Sequence, residues 1–186
     1  MAYGQSVKSL PRIKEKSFLC VMKKTILFLN LIIFSTLLFS QVNVEPPYKR
    51  FPTVPPLNLL LTDSTSIFTD KELKKNVPLF FILFSPDCEH CQKETEELVN
   101  MIDSFKNIQI VMATTLSFDK MKSFYNLYQL HRFSNITVGL DKQYILPTYF
   151  RITSMPFLAF YNKKGNLIEG IQGALPLRKV LAYFRE

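Results

Sequence analysis

The sequence predicts an α/β fold: a central β-sheet of mixed direction, helices on both faces, and a C-terminal β-hairpin followed by a helix. Three observations carry this expectation. "PLFFILF" (78–84) is aromatic and aliphatic throughout, without the polar alternation of a half-exposed strand, so it reads as a strand covered on both faces. Strand-like and helix-like patterns alternate through the first half of the folded part. "PFLAFYNKKGNLIEGIQG" (156–173) reads as a strand, a turn at Asn162–Asn166 and a return strand.

Taken in order, residues 1–40 carry six basic residues and one acid, whereas the remaining 146 carry 17 basic and 14 acidic. The formal charge of +8 therefore sits mostly at the N-terminus. No basic stripe with interleaved aromatics is present, which argues against nucleic-acid binding. "MKKTILFLNLIIFSTLLFSQ" begins at Met22 with two lysines, runs apolar from Thr25 to Phe39, and ends at Ser40. That is the pattern of a secretory signal peptide, cleaved after Ser40, with a retained membrane anchor as the alternative. Met22 is the expected initiator. Cys20 leaves with the signal, so the exported chain keeps Cys88 and Cys91 alone. Residues 41–56 hold five prolines and read as a linker or a wrapped arm.

The folded domain is expected over 57–186. "LNLLL" (57–61) is a strand, "STSIFTDKELKK" (64–75) a short helix entered through Thr69 or Asp70, and 78–84 the buried strand. Residues 88–105 keep Leu98, Val99, Met101, Ile102 and Phe105 at helical spacing. "NIQIVMATTL" (107–116) is a strand, "FDKMKSFYNLYQLHRF" (118–133) a helix, and "ITVGL" (136–140) a strand. After the hairpin, "PLRKVLAYF" (176–184) is a closing helix with Pro176 in its first turn.

The chemistry concentrates in "FSPDCEHCQKE" (84–94). Cys88 and Cys91 fall just after a buried strand, at the start of a helix, with Ser85 or Asp87 as candidate N-cap. The free N–H groups and positive dipole end of a helix stabilise a thiolate there, the form that attacks disulfides. Cys88 is thus the candidate nucleophile, and Cys91, one turn further in, the resolving thiol. His90, if protonated, favours the thiolate; otherwise it is an exposed first-turn residue without a role. Glu89 acts in the opposite sense, or simply suits a helix N-terminus. As a structural staple, a bridge closing so short a loop contributes little.

These residues resemble the thioredoxin superfamily, and within it the secreted, TlpA-like thiol–disulfide oxidoreductases of bacteria. The resemblance covers about residues 57–186. It rests on "FFILFSPDCEHC", on "TSMPFLAFYNKKGNLIEGIQG", and on the closing helix. It implies a thioredoxin-like fold and a redox-active Cys88–Cys91 disulfide, with no organic cofactor and no metal. It implies a cis Met155–Pro156 bond beside the cysteines, with Met155 and Pro156 lining the substrate groove. Protein thiols and disulfides are the implied substrates, reduction the favoured direction, and a membrane redox partner the means of recycling, all outside the cytoplasm. Membrane contact is implied only if the N-terminal segment stays uncleaved. Two features depart from the family pattern. Asp87 stands where tryptophan is common, and Ile82 stands where thioredoxins carry a buried acid, so the proton acceptor for Cys91 is water, Glu89 or another group. Two alternatives lack redox turnover. One is a copper-binding module using Cys88, Cys91 and His90, with His131 as the other histidine. The other is a partner-binding module presenting aromatic side chains.

Overall fold

The computed structural model describes residues 22–30 and 45–185. Residues 22–30 are helical, with exposed side chains. The rest of the signal-like run, the expected cleavage site after Ser40, and residues 1–21 with the question of the initiator lie outside the described residues. Among the described residues no helix is long and apolar enough to cross a membrane.

From Glu45 onward the chain forms one compact unit around a seven-stranded sheet. The strands are β1 (Asn58–Leu61), β2 (Ile67–Thr69), β3 (Leu79–Leu83), β4 (Gln109–Thr114), β5 (Ile136–Leu140), β6 (Phe157–Tyr161) and β7 (Leu167–Gln172). Their order across the sheet is β2-β1-β5-β4-β3-β6-β7. The central β5, β4 and β3 are parallel; β1, β6 and the edge strands run antiparallel to their neighbours. The helices are α1 (Pro47–Arg50), α2 (Glu89–Asn100), α3 (Phe118–Leu127), α4 (Ile145–Phe150) and α5 (Leu177–Val180). This is the mixed, thioredoxin-like α/β architecture that the sequence predicts.

All five β3 residues are buried, because side chains alternate faces and both faces are covered. Phe80 and Ile82 join Phe84 in a core with Cys91 and Leu98 of α2, Met121 and Phe124 of α3, and Leu177 and Val180 of α5. Leu79, Phe81 and Leu83 join the opposite core with Leu59, Phe150, Phe157 and Tyr48. Each buried Phe or Leu contributes about 1.5–3 kcal/mol of burial free energy, so the two cores together clamp β3 in place.

Several elements depart from the sequence-based expectation. Residues 64–75 do not form a helix. Asp63 takes the Thr65 and Ser66 amides, Ser64 adopts a left-handed φ of 66°, and the chain returns as β2, paired to β1. Thr69 does cap, with Glu72 completing a capping box, but only for one 3-10 turn, Asp70–Glu72. The helices expected over 88–105, 118–133 and 176–184 are α2, α3 and α5, each shorter and followed by a separate 3-10 turn. Helix α4 is unannounced by periodicity. Tyr144, at a left-handed φ of 55°, holds its N-cap position, and the buried Asp141 accepts the Leu146 amide at 2.8 Å. Phe150 anchors it, with ring centroids 4.7 Å from Phe157 and 5.5 Å from Phe81.

The Pro-rich arm is packed against the domain, which therefore begins before Leu57. Tyr48 of α1 is buried against Phe150 and Phe157. It lies so close over Gly170 that a Cβ there would meet the Tyr48 ring at 2.7 Å. Thr53 bridges to Asn166, and Pro52 O accepts the Leu167 amide at 2.8 Å.

Candidate functional site

β3 delivers the chain to the end of the sheet where Cys88 lies. The Phe84 amide still bonds Ala113 O (2.9 Å), and the Phe84 ring packs on Phe124 at 4.6 Å. The chain then turns: the Cys88 amide donates to Ser85 O at 3.1 Å, and Gln92 Nε2 donates to Pro86 O at 2.8 Å. An ion pair from Asp87 to Lys120 ties the turn to α3.

The N-cap of α2 is Cys88 itself, with φ −90° and ψ 118°, and no side chain caps the helix. Neither Ser85 nor Asp87 takes that place: Ser85 closes the turn through its carbonyl, and Asp87 is engaged by Lys120. The uncapped N–H groups and the positive dipole end are thus left at the half-buried Cys88. Cys91 is 2% exposed. Burial pushes its thiol up to about 12; a Ser85 backbone N–H opposes the rise, and Cys88 and Glu94 add to it. Both cysteines are free thiols in this structure. One sulfur is accessible at a helix start and the other is held neutral one turn deeper. Glu89 and His90 are both exposed on the first turn.

The second wall is the loop before β6. The Met155–Pro156 bond is cis. Met155 O lies 3.8 Å from Cys88 Sγ, and the Met155 side chain packs against both cores. The structure therefore brings Cys88, Cys91 and Met155–Pro156 together from segments 67 positions apart. Gln172 holds this loop. Its Oε1 accepts the Thr153 and Ser154 amides (3.1 and 3.2 Å), and its Nε2 donates to Arg151 O (3.1 Å). Gly173, at φ 88°, then donates to Pro156 O at 2.7 Å, a backbone conformation that suits glycine.

Sequence reasoning missed Glu94. It stands one helical turn after Cys91, is only 6% exposed, and neither carboxyl oxygen has a hydrogen-bond partner among the described residues. Burial raises its pKa to about 8, partly offset by the nearby Leu175 backbone N–H. The available signal was its i+3 spacing from Cys91 on α2. Ile82, where an acid would stand on the preceding strand, is core. The buried carboxyl beside Cys91 thus comes from the helix instead. His131 lies in the turn after α3, against Tyr125. Among the described residues, no group of three or more His, Cys, Asp or Glu is arranged to hold a metal ion.

Comparison with known proteins adds the family. No curated protein matches the sequence. Among solved structures, dsbF of MTB, in mixed oxidized and reduced forms, superposes with a TM-score of 0.59 at 21% identity, covering 70% of this chain and 96% of its own. A secreted Mycobacterium tuberculosis disulfide oxidoreductase homologous to E. coli DsbE gives 0.57 at 19% identity, covering 73% and 96%. The Mycobacterium tuberculosis peroxidoxin BcpB gives 0.60 at 15% identity, covering 72% and 94%. The fold alone thus spans more than one chemistry. The family model described as a thioredoxin-like domain matches residues 69–186, well over half of the sequence. The chain belongs to the thioredoxin-like domain family.

Proposed function

We propose that the protein is an exported thiol–disulfide oxidoreductase that works through Cys88 and Cys91, in the reducing direction. The observation that carries this is the contrast between the two sulfurs. Cys88 sits half-exposed at the uncapped start of α2, facing Met155 O, and Cys91 is buried with its thiol raised to about 12.

The Cys88 thiolate attacks one sulfur of a protein disulfide. The Cys88–substrate bond forms, the substrate S–S bond breaks, and the departing thiolate takes a proton from solvent. Cys91 then loses its proton and attacks Cys88 Sγ, which releases the second substrate thiolate. Two electrons pass to the substrate, and Cys88–Cys91 becomes a disulfide. Once Cys88 is tied up in the mixed disulfide, its charge no longer opposes ionisation of Cys91. Glu94, with a pKa of about 8, is largely protonated at neutral pH, and the carboxylate fraction that grows as pH approaches 8 takes that proton. Met155 and Pro156 line the groove in which the substrate segment lies. Glu89 and His90 tune the site from its exposed rim. The cysteine couple supplies the redox chemistry without a cofactor or metal, and a membrane redox partner returns the oxidised protein to the dithiol.

The reducing direction follows the resemblance to the exported TlpA-like oxidoreductases, and the reduction potential of the couple decides it. Export is supported by the Met22–Ser40 pattern and by the secreted protein among the structural neighbours.

The test is the equilibrium reduction potential of the couple in glutathione and dithiothreitol buffers. A value near about −270 mV supports a reductant, and one near about −120 mV an oxidant. Absence of a reversible two-electron couple refutes the proposal. Independently, Cys91→Ser accumulates mixed disulfides with substrate proteins, and Cys88→Ser does not.

A further inference from the structure

A groove of about 430 Å³ opens beside the cysteine turn, between Pro86–Asp87 and helix α3. Pro86, Phe124 and Leu127 form its apolar lining. Leu127 is 71% exposed on the last turn of α3, an apolar side chain of this size left in water. Asp87, Lys120 and Asp119 form its polar rim. Asp87 and Lys120 neutralise each other, and Asp119 joins no ion pair among the described residues, so the rim carries net negative charge.

We infer that this groove is a specificity subsite that takes an apolar side chain two residues away from the attacked cysteine of the substrate protein. This rests on the redox function proposed above. The occupant follows from continuity and geometry. Pro86 and Asp87 immediately precede Cys88, so the groove wall ends one residue from the attacking sulfur. A substrate cysteine joined to Cys88 fixes its own chain there. In an extended segment side chains alternate, so residues two positions away project to the same side as the cysteine, roughly 6.5–7 Å along. An apolar side chain there covers the exposed Leu127. An acidic one meets Asp119 and Asp87 and is disfavoured.

The test uses the full chain, reduced, with three symmetrical peptide disulfides. These carry Leu, Ser or Asp at both positions two residues from the cysteine and are otherwise identical. The expected order of second-order rate constants is Leu, Ser, Asp, with Leu about tenfold above Ser. In Leu127→Asp the Leu-to-Ser ratio falls to about one. Because the ratio is measured within each protein, a general loss of activity cancels. Leu127→Ser, on the same exposed position, gives the same loss of preference and guards against misfolding of the first variant. If glutathione disulfide and all three peptides fail to oxidise wild-type protein, the redox function falls and the subsite with it. If all are turned over at equal rates, or if Leu127→Asp keeps the preference, the subsite alone is refuted. A concentration-dependent dimer in sedimentation that Leu127→Asp dissolves also overturns it, since the groove would then be covered by a second copy.

Discussion

Glu94→Gln tests the buried carboxyl directly. In the folded protein Glu94 titrates at about 8, against an ordinary value of 4.5, and burial is the main cause. Between those values the folded form holds a proton that the unfolded form has shed. Its contribution to stability is therefore full below about pH 4.5 and is lost as pH rises towards 8. At about 1.36 kcal/mol for each pH unit of displacement, the loss is a few kcal/mol and about 5 at most. Glutamine stays neutral, so its own cost of burial is the same at every pH. The assay is urea unfolding of both proteins at pH 5 and pH 8. Wild type loses several kcal/mol more than the variant over that interval. The exposed His90 and His131 are common to both proteins and cancel. Cys91, raised to about 12, titrates above the window. Parallel pH profiles would falsify the assignment of a protonated, buried Glu94. A second readout separates chemistry from stability: in stopped-flow at pH 7, Glu94→Gln slows Cys91 attack on a preformed Cys88 mixed disulfide, and raising the pH restores the rate.

Gln172→Ala frees the Arg151, Thr153 and Ser154 backbone groups, so the KM for a protein disulfide rises several-fold while exchange with dithiothreitol changes less; Gln172→Glu, which keeps the acceptor, recovers part of the loss. Tyr161→Phe removes a buried hydroxyl that has no partner among the described residues, and raises stability by about 1–2 kcal/mol in urea unfolding at constant m. Phe150→Ala removes the ring that joins Tyr48, Phe81 and Phe157, and lowers stability by about 3–5 kcal/mol, read from the same transition.

What was legible in the sequence follows from what local pattern encodes. The 78–84 run announces a strand buried on both faces because no position along it tolerates water. The cysteine turn is legible because a strand, C-x-x-C and a helix stand in immediate succession. Helix α4 was illegible because Pro147 interrupts its six residues and its anchor, Phe150, is defined by rings from three other segments. Residues 64–75 misled because Thr69 and Glu72 are a genuine capping box, and capping starts a helix without determining how far it runs. Glu94, Glu96 and Glu97 are one residue type within four positions, yet only Glu94 is buried. Burial of a carboxylate is set by the neighbouring elements, so no inspection of α2 alone separates them. The Gln172 clamp joins positions that only the hairpin brings close, and it carries no sequence signal.

The arm that begins at Glu45 also governs where the domain can be cut. A protein shortened to Leu57, where the strand pattern starts, would uncover the Phe150 and Phe157 rings beneath Tyr48. It would also strip the Pro52–Val54 backbone from the turn and the start of β7, the outermost strand. Bare rings beside an open strand edge are a recipe for edge-to-edge association. Residues 45–56 therefore act as a sheath for the sheet margin, and a truncation that spares both cysteines would yield an aggregation-prone protein.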